Sequence, residues 1–137
     1  MPTILDSNVV VDLLLIEPDW HEWSAKQISS FAASGPLVIN PIVFAEAAPR
    51  FNNADALRKS MMLLGLTFEQ LPWEAAFMAG KAHARYRRSG GSRERTLPDF
   101  LIGSHAQFGG YRLVTRDAQR YRTYFPNLEI IAPDSHP

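Results

Sequence analysis

Four acidic residues lie where short apolar runs give way to turns or helices: Asp6, Glu46, Asp99 and Asp117. Carboxylates gathered at one point repel each other, and a bound divalent cation is the usual reason for a fold to tolerate that repulsion. Carboxylate oxygens are hard ligands that suit Mg²⁺ and Mn²⁺. If the fold brings these side chains together, the chemistry they favour is metal-dependent catalysis.

Each of these acids also has a plainer interpretation when it is considered alone. Asp6 and Asp117 could cap the helices predicted to follow them, and Asp99, three residues after Thr96, resembles part of a capping box. Glu46 differs, because nearly all its neighbours in the predicted helix are apolar and a charge there is costly without a partner. The metal-site hypothesis therefore depends on the four acids together.

Length and composition predict one domain over residues 1–137. The chain has 46% hydrophobic and 20% charged residues and a net charge of zero, which is ordinary for a globular protein. It contains no cysteine, which excludes disulfides, cysteine nucleophiles and cysteine-based metal sites and fits a reducing compartment. Because no stretch has the pattern of a signal peptide or a membrane span, we expect a cytoplasmic protein.

Apolar runs and turn residues alternate along the chain in a way that predicts strands separated by helices. Strands are predicted over residues 3–5, 37–40, 66–71, 112–115 and 128–131, and helices over 8–16, 20–31, 41–48, 55–64, 73–88, 98–108 and 117–121. Such alternation is typical of an α/β fold with a mostly parallel sheet, here of about five strands, covered by helices on both faces. Ligands of such sheets bind beyond the carboxyl ends of the strands, where we expect the four acids.

A basic stretch runs from Lys81 to Arg95 within this neutral chain. Four of its arginines are candidates for contacts with nucleic-acid phosphates: Arg87, Arg88, Arg93 and Arg95. The alternative is a solvated helix face that continues into a loop.

Four segments together resemble one known family. They are residues 5–8 (Leu-Asp-Ser-Asn), the helix that carries Glu46, residues 98–102 (Pro-Asp-Phe-Leu-Ile) and residues 113–117 (Leu-Val-Thr-Arg-Asp). In this order and at these intervals they are similar to the motifs of PIN domains. More narrowly, they resemble the VapC toxins of bacterial type II toxin–antitoxin systems. The resemblance covers essentially the whole chain.

The resemblance implies a three-layer PIN-like fold and an endoribonuclease that hydrolyses RNA phosphodiesters with water activated by Mg²⁺ or Mn²⁺. It implies that four acids hold the metal: Asp6, Glu46, Asp99 and Asp117. Asn8 and Thr115 match the polar positions that accompany these acids in the active site. A VapB-like antitoxin and a second copy of the chain, in a homodimer, are the implied protein partners. The alternative left open is a non-catalytic PIN-like module that binds RNA.

Other residues have interpretations unrelated to catalysis. We expect Asp12 to face solvent, and we expect His83 and His105 to contribute to packing because their spacing does not suit a shared metal ion. Trp20 and Trp23 are predicted core residues. The resemblance gives these two rings an alternative role, because antitoxins of the family dock an amphipathic segment near the first helices.

Overall fold

A computed structural model describes residues 1–91 and 96–137 of the chain. In this described part, five short strands form one sheet: β1 (Thr3–Leu5), β2 (Leu37–Ile39), β3 (Leu66–Phe68), β4 (Arg112–Val114) and β5 (Ile130–Ile131). The spatial order is β3-β2-β1-β4-β5, and every neighbouring pair is parallel. The structure thus confirms the predicted α/β fold with a parallel sheet of five strands.

The helices connect these strands in the predicted alternation. They are α1 (Ser7–Leu15), α2 (His21–Ala32), α3 (Pro41–Ala47), α4 (Ala54–Leu63), α5 (Trp73–Arg88), α6 (Leu97–Gly109) and α7 (Gln119–Tyr124), and a 3₁₀ turn over Ala48–Arg50 follows α3. The strand predicted over 66–71 ends earlier, at Phe68, because its partner β2 ends at Ile39, which pairs with Phe68. Within residues 1–91 and 96–137, no helix is both long enough and apolar enough to span a membrane.

The strand order places helices on both faces of the sheet. Connections between parallel strands are right-handed, so the segments that step from β1 to β2 and β3 lie on one face, and those that lead to β4 and β5 lie on the other. The helix contacts agree with this division. Helix α1 packs against α2 and α3, whereas α6 packs against α5 and α7. Ile4 and Leu5 of the central strand are fully buried between the two layers.

The direction of the strand order switches at β1. The chain leaves β1 toward β2 and later returns to its other side at β4. The register pairs Leu5 with Val114, so the residues that follow these two strands, Asp6 and Thr115, lie side by side. This point beyond the carboxyl ends of the strands is where open parallel sheets bind ligands.

Candidate active site

Asp6 lies at the centre of the crevice, with only 4% of its surface exposed. Its Oδ1 accepts a hydrogen bond from the backbone N–H of Ser7 at 2.8 Å, which caps α1. Its Oδ2 accepts hydrogen bonds from the hydroxyls of Thr115 at 2.7 Å and Tyr121 at 3.1 Å. The pKa of Asp6 is raised from 3.8 to about 6: burial is the main cause, the hydrogen bond from Thr115 opposes it, and the charge of Asp99 adds to it.

Asp99 lies in the first turn of α6, and about a quarter of its side chain is exposed. Its Oδ2 accepts a hydrogen bond from the guanidinium of Arg120. Burial raises the pKa of Asp99; the charge of Arg120 opposes this increase, and the charges of Glu46 and Asp117 add to it. Because Asp6 also responds to the charge of Asp99, the four predicted acids lie in one electrostatic neighbourhood.

Glu46 brings an unsatisfied oxygen into this neighbourhood from α3. Its Oε1 is buried and has no hydrogen-bond partner within residues 1–91 and 96–137. A buried carboxylate oxygen without a donor is costly, so this atom fits a position where a cation binds.

Most of the plainer interpretations of the acids fail in the structure. Helix α7 begins at Gln119 with Ala118 at its N-cap, so Asp117 does not cap it. Thr96 makes no side-chain capping bond to α6; its hydroxyl lies 2.9 Å from Nε2 of His83 instead. Asp6 does cap α1, but that bond occupies only one of its two oxygens.

Asn8 and Thr115 surround Asp6 as a polar layer. Nδ2 of Asn8 lies 3.5 Å from Oδ2 of Asp6 and 3.5 Å from the hydroxyl of Thr115. The Thr115 hydroxyl also accepts the backbone N–H of Asp117 at 3.0 Å. Thr115 therefore fixes the Asp6 carboxylate and the start of the segment that bears Asp117.

The donor set fits a hard divalent cation in its chemistry, because it consists of carboxylates that repel one another. It includes the buried Glu46 oxygen, which no group in the described part of the chain satisfies. The carboxylates are not gathered around one point, however. Among the described residues, no three His, Asp or Glu side chains are close enough together to hold an ion. Oδ2 of Asp99 pairs with Arg120, so an ion at this carboxylate would meet a like charge that disfavours its binding.

Sequence reasoning missed Tyr121, which contacts two of the acids. Its ring is buried, and its hydroxyl donates to Asp6 and lies 3.5 Å from Oδ1 of Asp99. Burial and the charges of Asp6 and Asp99 raise the pKa of Tyr121 well above its ordinary value, so the hydroxyl remains a donor. The sequence signal that could have indicated this contact is the spacing of four residues between Asp117 and Tyr121.

The expectation that Asp12 faces solvent is wrong. Asp12 is buried, with 1% of its surface exposed. The guanidinium of Arg116 donates to both of its carboxylate oxygens, at 2.8 and 3.0 Å, and Ser24 donates to it at 3.0 Å. The reason is that this face of α1 packs against α2 and the segment after β4. This bidentate pair anchors Arg116, whose chain neighbours are Thr115 and Asp117.

The remaining predicted positions divide into surface and interior residues. Arg87 and Arg88 are exposed in the last turn of α5, whereas Arg93 and Arg95 lie outside the described residues.

His105 is buried, with its ring nitrogens near Asn40 and Glu69, which agrees with the packing role predicted for it. Trp20 and Trp23 are half-buried and meet edge to face, and Trp23 packs against the core.

Two comparisons with known proteins give matches to this chain. The sequence model of the PIN domain family matches residues 3–126. Solved structures that share the fold include the VapBC2 complex of Rickettsia felis bound to a DNA fragment from its promoter, at 21% identity and a TM-score of 0.73, covering 96% of this chain and 98% of that chain. VapBC-1 of nontypeable Haemophilus influenzae is 18% identical, with the same coverage and a TM-score of 0.70.

A third similar structure is that of VapC20 from Mycobacterium tuberculosis, a toxin that cleaves the sarcin-ricin loop. It is 14% identical, covers 90% of this chain and 95% of its own, and has a TM-score of 0.64. None of the curated proteins matches this chain in sequence. At these identities the structural similarity is one of fold.

Proposed function

The chain belongs to the PIN domain family, and from this premise we propose that it is a metal-dependent endoribonuclease of the VapC toxin type. One observation carries the proposal: Asp6 and Asp99 lie in the crevice at the strand switch, with pKa values raised by burial and by neighbouring acids. Such perturbation is typical of functional sites. The matches to VapBC complexes and to a toxin that cleaves the sarcin-ricin loop support this proposal.

We assign Mg²⁺ or Mn²⁺ as the cofactor, with Asp6 and Asp99 as direct ligands and with Glu46 and Asp117 as direct or water-mediated ones. When bound, such an ion polarises the phosphodiester and lowers the pKa of water. Asn8 and Thr115 orient the Asp6 carboxylate. The buried hydroxyl of Tyr121 donates to Oδ2 of the same carboxylate and helps to hold it in place.

Water is the nucleophile that the composition of the crevice favours. The chain has no cysteine. The Ser7 hydroxyl lies 3.5 Å from Asp6, but the imidazoles of His83, His105 and His136 make their hydrogen bonds with other residues. Ser7 thus has no imidazole beside it to act as its base, and a serine hydroxyl at its free pKa is a weak nucleophile.

The experiment that tests this function is RNA cleavage by the purified protein, with Mg²⁺ or Mn²⁺ and with EDTA as control. Cleavage only with metal supports the proposal. RNA binding without cleavage in any metal supports the alternative, a non-catalytic PIN-like module. The ion pair between Asp99 and Arg120 favours that alternative, because it occupies one of the assigned ligands.

We propose that the arginines of the last turn of α5 and of the segment that follows it in sequence bind RNA phosphates. Replacing Arg87 and Arg88 with Ala should weaken RNA binding and reduce the slope of log K against log salt by about 0.7 for each lost contact on single strands. Adding Arg93→Ala and Arg95→Ala should reduce it further. The measurement is fluorescence anisotropy with labelled RNA and EDTA across a salt series.

A suitable control replaces Lys26 and Lys59, which are exposed on α2 and α4, because it removes the same charge as the Arg87/Arg88 variant elsewhere on the surface. If the slope of log K against log salt is unchanged in the fourfold arginine variant, these arginines do not bind RNA and belong to a solvated surface.

We propose further that the protein acts in the cytoplasm as a homodimer and is held inactive by a VapB-like antitoxin. Leu15 and Ile16 at the end of α1 are 47% and 68% exposed, which suits an apolar surface for an amphipathic segment. Co-expression with the product of an adjacent short reading frame should yield a stable complex without nuclease activity. Light scattering of the free protein should give twice the mass of one chain. A monomer would contradict the homodimer, and failure to form a complex with the product of the adjacent reading frame would contradict the antitoxin.

A further inference from the structure

Arg120 lies at the second position of α7, beside the candidate metal ligands. Its Nη1 donates to Oδ2 of Asp99, and about 30% of its side chain is exposed. The next residue, Tyr121, contacts Asp6 from the buried side of the same helix. Arg120 therefore contacts the crevice from its solvent side, where a substrate would arrive.

An open cavity of about 360 Å³ adjoins this guanidinium. Its volume is within the range of roughly 300–1,000 Å³ that is typical of small-molecule sites. Its walls are polar and aromatic side chains: Tyr86, Asp117, Gln119, Arg120, Thr123 and Tyr124. Aromatic rings and hydrogen-bonding groups beside a guanidinium suit a nucleotide, because the bases stack and the phosphate pairs with arginine.

We propose that Arg120 is a phosphate-binding residue of this site, which pairs with Asp99 until metal and RNA bind and then turns to a phosphate in the adjoining cavity. The inference rests on the proposed function. With the guanidinium on Oδ2 of Asp99, a divalent cation at the same carboxylate meets a like charge at close range, so binding of the ion weakens this pair. When the cation takes Asp99, the guanidinium loses its partner and a phosphate brings a new negative charge within its reach. Arginine suits both partners, since its planar fork matches carboxylate and phosphate alike.

The two proposed roles of Arg120, pairing with Asp99 and binding phosphate, predict opposite changes in the affinities for Mn²⁺ and for a nucleotide when the guanidinium is removed. In Arg120→Gln, Mn²⁺ should bind the RNA-free protein about tenfold more tightly, because no internal cation competes for Asp99. With saturating Mn²⁺ present, adenosine 5′-monophosphate should bind about tenfold more weakly, because a charge-assisted hydrogen bond is lost. A purely structural ion pair would not move the two affinities in opposite directions.

Isothermal titration calorimetry measures both affinities without any cleavage assay. Arg120→Lys keeps the charge and provides a second variant if Arg120→Gln does not fold; it should lose nucleotide affinity while leaving Mn²⁺ affinity nearly unchanged. Arg58→Gln is the matched control, because Arg58 pairs with Asp55 on the exposed side of α4.

Unchanged or weaker Mn²⁺ binding by Arg120→Gln, or unchanged nucleotide binding by either variant, would overturn the proposal for Arg120. A wild-type protein that binds Mn²⁺ and the nucleotide but cleaves no RNA would instead overturn the proposed function. The two failures are therefore distinguishable.

Discussion

Asp6→Asn and Asp99→Asn should each lower the rate of Mg²⁺-dependent RNA cleavage by roughly 10³-fold or more, about 4 kcal/mol of transition-state stabilisation. Each substitution replaces a charged ligand oxygen with an amide that binds a hard cation poorly. Asp6 should be the more sensitive position, because its Oδ2 already accepts two hydroxyls and an amide in its place would disturb Thr115 and Tyr121 as well.

Rates of cleavage of a labelled RNA under single-turnover conditions test this prediction. Asp55→Asn is the control, since Asp55 is exposed and pairs with Arg58 in the same helix. Far-UV circular dichroism should show that all variants keep their helices. Wild-type rates in EDTA, or an Asp99→Asn variant as active as wild type, would contradict the assignment of these ligands.

Asp6→Asn should also stabilise the metal-free protein at neutral pH. The pKa of Asp6 is raised from 3.8 to about 6 in the folded state, so the folded state binds this proton more tightly than the unfolded state does. Stability is therefore lost as pH rises from about 4 to 6, and the ionised form costs roughly 3 kcal/mol at neutral pH. An amide avoids this cost but weakens the hydrogen bonds that Oδ2 accepts from Thr115 and Tyr121, which leaves a net gain of about 1 kcal/mol.

Urea unfolding of wild type and Asp6→Asn between pH 4 and 8 provides the comparison, because the difference between the two proteins isolates Asp6 from other titrating groups. The advantage of the variant should be present at pH 7 and disappear near pH 4. Asp99→Asn should gain less, since it also loses the ion pair with Arg120.

The same urea unfolding measurements with Mg²⁺ test whether the acids bind the ion. It should stabilise wild type by about 2.7 kcal/mol at a hundredfold excess over its dissociation constant, and it should stabilise either Asn variant much less. If both variants unfold more easily than metal-free wild type and Mg²⁺ stabilises all three equally, the acids do not share one site.

The sequence predicted those parts of the fold that depend on local pattern. Short apolar runs bounded by turn residues located the strands. Asn40 precedes Pro41 and caps α3 where a helix was expected, since its side-chain oxygen accepts hydrogen bonds from the N–H groups of Ile42 and Val43. The position of the acids at the ends of these runs predicted their gathering, because the carboxyl ends of parallel strands meet at one edge.

The contacts that the sequence did not predict are all between distant segments. From its position in the predicted helix, Asp12 was expected to face solvent. Its partners Ser24 and Arg116 reach it through the packing of α1 against α2 and the segment after β4. Likewise, Arg120 and Tyr121 belong to a short helix whose rotation places one on Asp99 and the other on Asp6. Such pairings depend on tertiary geometry rather than on residue spacing.

The chemical form of the cleaved RNA ends tests the central claim most directly, namely that the four acids direct water at the phosphodiester. Attack by water leaves a linear phosphate on one fragment and a hydroxyl on the other, whereas attack by the neighbouring 2′-hydroxyl leaves a 2′,3′-cyclic phosphate. Mass spectrometry of fragments from a defined RNA distinguishes the two. Linear phosphate ends that form only with Mg²⁺ or Mn²⁺ are the predicted result, and cyclic phosphate ends that form in EDTA would contradict it.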